Sequence, residues 1–314
     1  MTGPDAARHR GGGSASRTPW RPPRPGVRFA RSPRPAGRGY AGYGQAQNPG
    51  RAGTPQRVPV EPAVPVPLGG ILDVSGRALC RKLGAFVALT PAELSALAAL
   101  QRRVRTVAPG ALLVRRSQAV DRLFVLCRGW SCSSKLLPDG RRQIVNVQIP
   151  GDFVGLRGVL QRMSDRRFEP LLPVEIAEVS AAELREVIRA HPRIGAAVLW
   201  AASRDEAMLA ERLLSIGRRS PRERLAHFLL ELEARLTLVG LTSPGGYHCP
   251  LTQQNLADVL GLSAVHVNRV LQELRKQGLL TFQRSRVVFQ DREALRRLSG
   301  FEGQYLDQDG PALP

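Results

Sequence analysis

Leu251–Gly278 reads LTQQNLADVLGLSAVHVNRVLQELRKQG, and its spacing decides the fold. Thr252 stands where an N-cap belongs, ahead of a short run from Gln253 to Leu260, and Ser263 caps a second run that extends to Gln277. Small Ala257 lets the two helices cross closely, Gly261 permits the sharp turn between them, and Val267 fills the wedge. Leu256, Leu260, Leu262, Val270, Leu271 and Leu274 complete a small core, and Gly278 sits where a helix end tolerates a left-handed backbone. This is the arithmetic of a helix-turn-helix. With Val267, Val270, Leu271 and Leu274 turned inward, Ala264, Val265, Asn268, Arg269 and Gln272 share the outer face of the second helix, with Ser263 at its start and His266 at its edge. In a DNA major groove Arg pairs with guanine, Asn or Gln pairs with adenine, and Ala264 and Val265 suit thymine methyl groups. The competing reading of the same residues is a solvated helix face.

Downstream, Leu279–Phe282 and Val287–Phe289 flank Gln283–Arg286 as a β-hairpin, with Arg284 and Arg286 at its tip. It reads as a wing whose arginines are available to phosphate. A last short helix runs from Asp291 to about Leu298. Upstream, Gly240–Gly246 reads as a break, and Ser220-Pro221-Arg222-Glu223 is a capping box that opens a helix carrying Leu225, Phe228, Leu229, Leu232 and Leu236. Before it, Arg193 to about Ile216 forms one helix, roughly 36 Å long at 1.5 Å per residue. Its apolar positions Ile194, Val198, Ala201, Met208, Leu209, Leu213 and Ile216 recur every three or four residues. Either the chain's own β-domain or a second copy must cover that stripe. A helix of this length between two domains favours a two-fold dimer seam.

The middle of the chain has a different rhythm. From Val104 to about Val179, short β-prone runs such as Leu123–Leu126, Ile144–Ile149 and Val174–Val179 alternate with turns at Pro109-Gly110, Arg128-Gly129, Pro138-Asp139-Gly140 and Pro150-Gly151-Asp152. Pro-Asp-Gly between two such runs is a hairpin signal, and the even spacing suggests a sandwich or jelly roll. Thr90-Pro91-Ala92-Glu93 opens a helix ahead of it, and Ala181–Ala190 closes it with another.

Composition bounds the rest. The 314 residues leave room for two domains, and a formal net charge of +20 asks for a polyanionic partner, of which nucleic acid is the default. Residues 1–70 hold 13 of the 25 Pro, 13 of the 31 Gly and 11 Arg against only Asp5 and Glu61, so they read as a disordered basic tail. That tail either attracts DNA weakly, serves as a flexible extension, or reflects a misplaced start codon. The organisation expected is therefore the tail over 1–70, a β-roll over 71–190, a dimerisation helix over 191–217 and a winged helix over 218–314. No run approaches the ~18 apolar residues of a membrane span. The N-terminus lacks the apolar core of a secretory signal. Four Cys are too few for a disulfide scaffold, so a reduced, cytoplasmic chain is expected.

At this point the sequence resembles the Crp/Fnr family of bacterial transcription regulators, over roughly residues 71–300. The resemblance is carried by the segment from Ser220 through the wing and by the β-roll landmarks Gly129, Leu137-Pro138-Asp139-Gly140-Arg141 and Pro150-Gly151-Asp152-Phe153-Val154-Gly155. It implies an α+β chain: a cyclic-nucleotide-binding-like jelly roll that senses an effector, a dimer helix, and a winged helix-turn-helix that reads an inverted repeat. It places base-reading positions on Ala264, Val265, Asn268 and Arg269, and it implies RNA polymerase as a partner. Two departures matter. Members that bind cyclic nucleotides carry Glu after the Gly of the phosphate cassette and an Arg-Ser/Thr-Ala soon after. Here Gly155 is followed by Leu156 and Arg157, and the later stretch is Ser164-Asp165-Arg166-Arg167-Phe168-Glu169-Pro170. Cyclic AMP is therefore not expected, although Arg157, Arg166 or Arg167 remain available to another anion.

Oxygen-sensing members hold an iron–sulfur cluster on N-terminal cysteines, whereas Cys80, Cys127, Cys132 and Cys249 are scattered here. No cluster, haem or other cofactor is expected. Cys127 and Cys132 flank a turn without a Cys-x-x-Cys motif, so buried small side chains are favoured over a redox switch. His9, His191, His227, His248 and His266 show no metal-ligand spacing, and no phosphate loop or nucleophile elbow appears, so no catalytic residue is assigned. Three functions stay open: an effector-controlled dimeric DNA-binding regulator, a constitutive one whose β-roll is structural or docks a partner, and a cyclic-nucleotide-responsive one.

Overall fold

The computed structural model describes residues 74–114, 121–161, 164 and 166–306. The basic tail expected over 1–70 lies outside them. Two helices come first, α1 (Val74–Gly84) and α2 (Pro91–Leu100). The β-domain follows as β1 (Val104–Val107), β2 (Arg122–Arg128), β3 (Ser131–Leu136), β4 (Arg142–Gln148), β5 (Phe153–Val154), α3 (Leu156–Gln161), β6 (Arg167–Pro170) and β7 (Val174–Ser180). Then come α4 (Ala181–Ala190), α5 (Pro192–Arg218) and α6 (Pro221–Leu238). The C-terminal part contains β8 (Thr242–Ser243), β9 (Gly246–His248), α7 (Gln253–Leu260), α8 (Ala264–Lys276), β10 (Leu280–Gln283), β11 (Arg286–Phe289), α9 (Arg292–Ser299) and a 3-10 turn at Gly303–Leu306.

Helix starts follow local chemistry. Thr90, Ser180, Ser220 and Thr252 each accept from the backbone N–H three residues on, and Glu93, Glu183, Glu223 and Asn255 reach back to the cap N–H. The β-domain is two antiparallel sheets, ordered β1-β7-β2-β5 and β4-β3-β6. Alternation along β2 explains why it reads as a near-continuous apolar run. Phe124 and Leu126 point between the sheets with Val154, Phe168, Val174 and Ile176. Leu123, Val125 and Cys127 point the other way, onto a layer built from α1, α2, α4 and the first half of α5.

That layer corrects the reading of α5. Ile194, Val198 and Ala201 lie in the core beneath β2, and Met208 is buried in the C-terminal core, so none of the four faces a second chain. Ile216 is half-buried, lying 3.8 Å from where a Cβ on Gly261 would sit. The exposed apolar side chains of α5 are Leu199, Leu209, Leu213 and Leu214, of which Leu209 and Leu213 belong to the expected stripe. The stripe therefore divides: its first half is consumed by the chain's own core, and a rotated one is left open.

The stretch read as a break is also structured. β8 and β9 form a small hairpin that joins the wing, giving a four-stranded sheet ordered β10-β11-β9-β8. Gly246, at φ 103°, makes this possible, because a Cβ there would lie 1.9 Å from the Val287 carbonyl oxygen. A similar close approach occurs at Gly151 (φ 89°), where a Cβ would sit 2.8 Å from Ala78, and this brings α1 down onto the β4–β5 turn.

Candidate nucleic-acid interface

α7 and α8 are held by the predicted spacing. Ala257 and Val267 are fully buried at their crossing, and Gly261 is left-handed at φ 66° and ψ 40°. Ser263 accepts from the His266 N–H at 3.2 Å to start α8. Val267, Val270 and Leu274 face the core with Leu256 and Leu260, while Leu262 and Leu271 pack at its margin.

The other side of α8 is open. Val265, Arg269 and Gln272 are exposed, and Ala264, His266 and Asn268 are half-buried. The polar members are already joined: Arg269 Nη2 lies 2.9 Å from His266 Nε2, Arg269 Nε lies 3.8 Å from Glu273, and the Gln272 amide donates to Asn268 Oδ1 at 2.8 Å. Such contacts fix rotamers before a ligand arrives and lower the ordering cost of binding. Charge points the same way. Neither α7 nor α8 carries an acid in its first turn, where one would favour the helix dipole. The two helices that would meet a duplex thus leave their positive N-termini unneutralised, as phosphate approach requires.

The wing differs in one respect from its sequence reading. Arg284 and Ser285 form the two-residue tip, both left-handed at φ 48° and 55°, a turn usually given to Asn-Gly. Arg284 is exposed there. Arg286 is exposed too, but it is committed: its guanidinium donates to the Gly245 carbonyl at 3.2 Å and to Ser243 Oγ at 2.9 Å. Its position braces the wing against the β8–β9 turn, and Arg284 is the arginine carried at the tip.

A second feature escaped the sequence because its parts come from five elements. Between the β-domain and α5 lies a cavity of about 450 Å³. Its walls are apolar at Phe153, Leu156, Phe168 and Met208, and charged at Asp205 and Arg212 on α5, with Arg157 and Arg166 opposite. Burial pushes the Asp205 carboxyl up from its usual range. Arg212 continues away from the cavity: its guanidinium lies over the Phe228 ring at 4.4 Å and donates to Glu231 of α6 at 3.0 Å. The second Glu231 oxygen accepts from Tyr305 at 2.9 Å. Arg235, one turn on, donates to Asp152 at 2.8 Å and lies 3.8 Å from Glu231, and Lys82 of α1 donates to Asp152 at 2.8 Å. Burial alone would raise the Asp152 pKa, but the Lys82 and Arg235 charges outweigh it and hold the carboxyl at about 2. A surface clasp runs parallel to this chain of charges. Arg142 on β4 pairs with Asp258 of α7 at 2.7 Å, and Gln143 donates to the Val259 carbonyl at 3.1 Å.

The cysteines are free and show no redox geometry. Burial pushes Cys127 up to about 11 and Cys132 and Cys249 up to about 12, far from thiolate reactivity. Among the described residues there is no group of His, Cys, Asp or Glu suited to a metal, and no helix is long and apolar enough to cross a membrane.

A β-roll joined through a long helix to a winged helix-turn-helix defines a class of DNA-binding regulators, and comparison with known proteins identifies the family. A Crp-like helix-turn-helix domain matches residues 223–298, and a cyclic nucleotide-binding domain matches residues 104–191. The nitrogen fixation regulation protein FixK of Azorhizobium caulinodans is 34% identical over 184 residues, covering 58% of this chain and 73% of that protein. The transcriptional activatory protein AadR of Rhodopseudomonas palustris is 30% identical over 209 residues, covering 66% of this chain and 82% of that protein. The fold is shared with the structure of FixK2 from Bradyrhizobium japonicum, at a TM-score of 0.58 and 24% identity over 63% of this chain and 98% of that one. The chain belongs to the Crp/Fnr family of DNA-binding transcriptional regulators.

Four outcomes are expected from this geometry. Arg269→Ala costs about 1–3 kcal/mol of specific DNA binding and relaxes preference at the base position it meets, checked by competition titrations against single-base variants. Uniform weakening on all sequences would place Arg269 on phosphate instead. Replacing Arg284-Ser285 with Asn-Gly relieves two left-handed residues and raises the melting temperature by a few degrees, while DNA affinity falls and its salt dependence flattens by about one phosphate contact. Glu231→Gln leaves Arg212 and Arg235 under-neutralised in the core, with a cost of about 3–5 kcal/mol in denaturant titration at pH 7. Because the Asp152 pKa is lowered on folding, its contribution is complete above the unfolded value near 4 and is lost as pH falls toward about 2. Asp152→Asn should flatten stability in that window.

Proposed function

We propose that this chain acts as a homodimer on an inverted-repeat operator in the cytoplasm, and that a small molecule seated between the β-roll and α5 governs its DNA-bound state. The observation that carries the dimer is the open side of α5. Leu199, Leu209 and Leu213 remain exposed on a helix whose opposite side is already buried, and Leu213 is 74% exposed. Leu199, Glu206 and Leu213 recur every seven residues, with Ala202, Leu209 and Ile216 three positions behind each, the spacing of a two-helix seam. A two-fold axis along α5 sets two copies of α8 about 34–36 Å apart, one turn of duplex. Affinity then rests largely on Lys and Arg against phosphate and weakens steeply with salt. The family makes RNA polymerase the further partner.

The cavity supports control by an effector other than a cyclic nucleotide. Leu156 and Arg157 stand where a ribose-binding Glu would be needed, and Asp205 and Glu206 line the wall of α5. In the constitutive alternative the cavity is structural and operator affinity is the same with every metabolite.

Leu213→Asp tests the assembly. In sedimentation it should shift the protein from dimer to monomer and weaken operator binding at least tenfold, with an unchanged circular dichroism spectrum. An unaltered dimer would exclude this seam. Calorimetry of the unmutated protein with cyclic AMP and cyclic GMP should show no heat at micromolar concentrations, and tight binding would overturn the reading of the cavity.

A further inference from the structure

The segment that follows α9 returns to the joint between α5 and α6. Gly300 closes α9 in the left-handed region, at φ 60° and ψ 35°, and the Phe301 N–H donates to the Arg296 carbonyl at 3.3 Å, which turns the chain back. The 3-10 turn Gly303–Leu306 then packs against both α5 and α6. Phe301 and Leu306 are buried, and Tyr305 is half-buried. Phe301 meets the His227 ring edge to face at 5.1 Å between centroids, and Tyr305 stacks on it at 6.0 Å. His227 belongs to α6, and its Nε2 lies 3.3 Å from Glu211 of α5. The joint itself is two residues, Arg219 and Ser220. Each brings two soft dihedrals, so the link alone fixes no angle between α5 and α6.

The angle is tied through Glu231. One of its carboxylate oxygens accepts from Arg212 of α5 at 3.0 Å, and the other accepts from the Tyr305 hydroxyl at 2.9 Å. Arg235 competes for the same carboxylate from 3.8 Å, one turn along α6. A Glu231–Arg235 pair lies within one helix and places no constraint on α5, whereas the Arg212 pair crosses the joint. With Tyr305 on its second oxygen, Glu231 turns toward Arg235 only by forfeiting that hydrogen bond. At 1.5 Å per residue, the crossing pair ties α5 roughly 9 Å before its end at Arg218 and α6 roughly 15 Å beyond its start at Pro221, so it resists bending at the joint with a long lever. We propose that Tyr305 is a positioning residue for DNA reading: by keeping Glu231 on Arg212 it holds α6, and the α8 packed on it, at one angle to α5. In the dimer proposed above, that angle sets the distance between the two copies of α8, and the inference rests on that reading.

The test is the half-site spacing that the full chain accepts. Selection from a random duplex pool yields the inverted repeat. Duplexes with one base pair added or removed between the half-sites are then compared with it by fluorescence anisotropy, and a single half-site duplex serves as the control for an intact α8. For the unmutated chain either change of spacing should cost about tenfold, near the low end of what distorting a duplex to fit costs. Tyr305→Ala should bind the single half-site as the unmutated chain does, yet lose no more than about threefold on either altered spacing. Tyr305→Phe, which keeps the ring beside His227 and removes only the hydroxyl, should fall between. A merely structural role for Tyr305 would weaken binding to every duplex alike, the single half-site included, and leave the spacing penalty of Tyr305→Phe equal to that of the unmutated chain. An equal penalty in Tyr305→Phe overturns the proposal, even where Tyr305→Ala fails to fold. If the unmutated chain selects no inverted repeat, or binds every spacing alike, the dimer reading fails first and this proposal with it.

Discussion

The structure turns on a buried carboxylate shared by two halves of the molecule. Asp152 leaves the β-domain just after Gly151 and is met by Lys82 from α1 and Arg235 from α6, with Arg235 only 2% exposed. A buried ion pair is a poor source of net stability, because desolvation consumes most of its Coulomb energy. It is an effective source of geometry. If α6 rotates or slides, Arg235 loses Asp152 and keeps only the longer 3.8 Å contact to Glu231 of its own helix, which already serves Arg212 and Tyr305, and a guanidinium so under-neutralised in that core is costlier than the pair. The same constraint explains Gly151: only a residue without a Cβ lets Ala78 and α1 approach closely enough for Lys82 to arrive.

Once α6 is fixed, the DNA-reading surface follows with little further choice. α7 and α8 pack on α6 through Leu256, Val267 and Val270, while Arg142 and Gln143 hold the back of α7. The open face of α8 is left clear of protein. Its make-up reflects what it must meet: polar groups bonded to one another, and an arginine tip on a turn that a hairpin chosen for stability would give to Asn-Gly. Local rules are broken here in the one region where a polyanion approaches, as expected when function competes with folding.

How far the sequence revealed this depends on how local each signal is. Caps, turns and the helix-turn-helix spacing act within a few residues, so Thr90, Ser220, Thr252, Gly261 and Ser263 were legible and behave as read. The stripe on α5 was legible as a period but not as a partner. Ile194, Val198 and Ala201 satisfy the same spacing as Leu199, Leu209 and Leu213, and only the position of β2 and α1 shows which set the chain itself covers. Arg286 reads as a phosphate ligand until β8 and β9 appear beside it, since those strands are two and three residues long and carry almost no pattern. The cavity and the buried charges were illegible for a stronger reason. Lys82, Asp152, Arg212 and Glu231 are spread over some 150 positions, and a charged residue on a helix reads by default as solvated.

Arg212 shows why these two illegible features belong together. Its side chain forms part of the cavity wall, lies on Phe228 and bonds Glu231, so one residue touches the cavity and the first helix of the DNA-binding half. A ligand shifts a conformational equilibrium only by the difference in its affinity for the two states. For an effector in this cavity, that difference has to be expressed at groups whose position depends on α6. Phe153, Leu156 and Phe168 are locked within the β-domain and contribute alike whatever α6 does. Arg212 lines the cavity and has its partner on α6, so an effector seated there as proposed would, by touching it, favour one placement of α6 and of the α8 that packs on it.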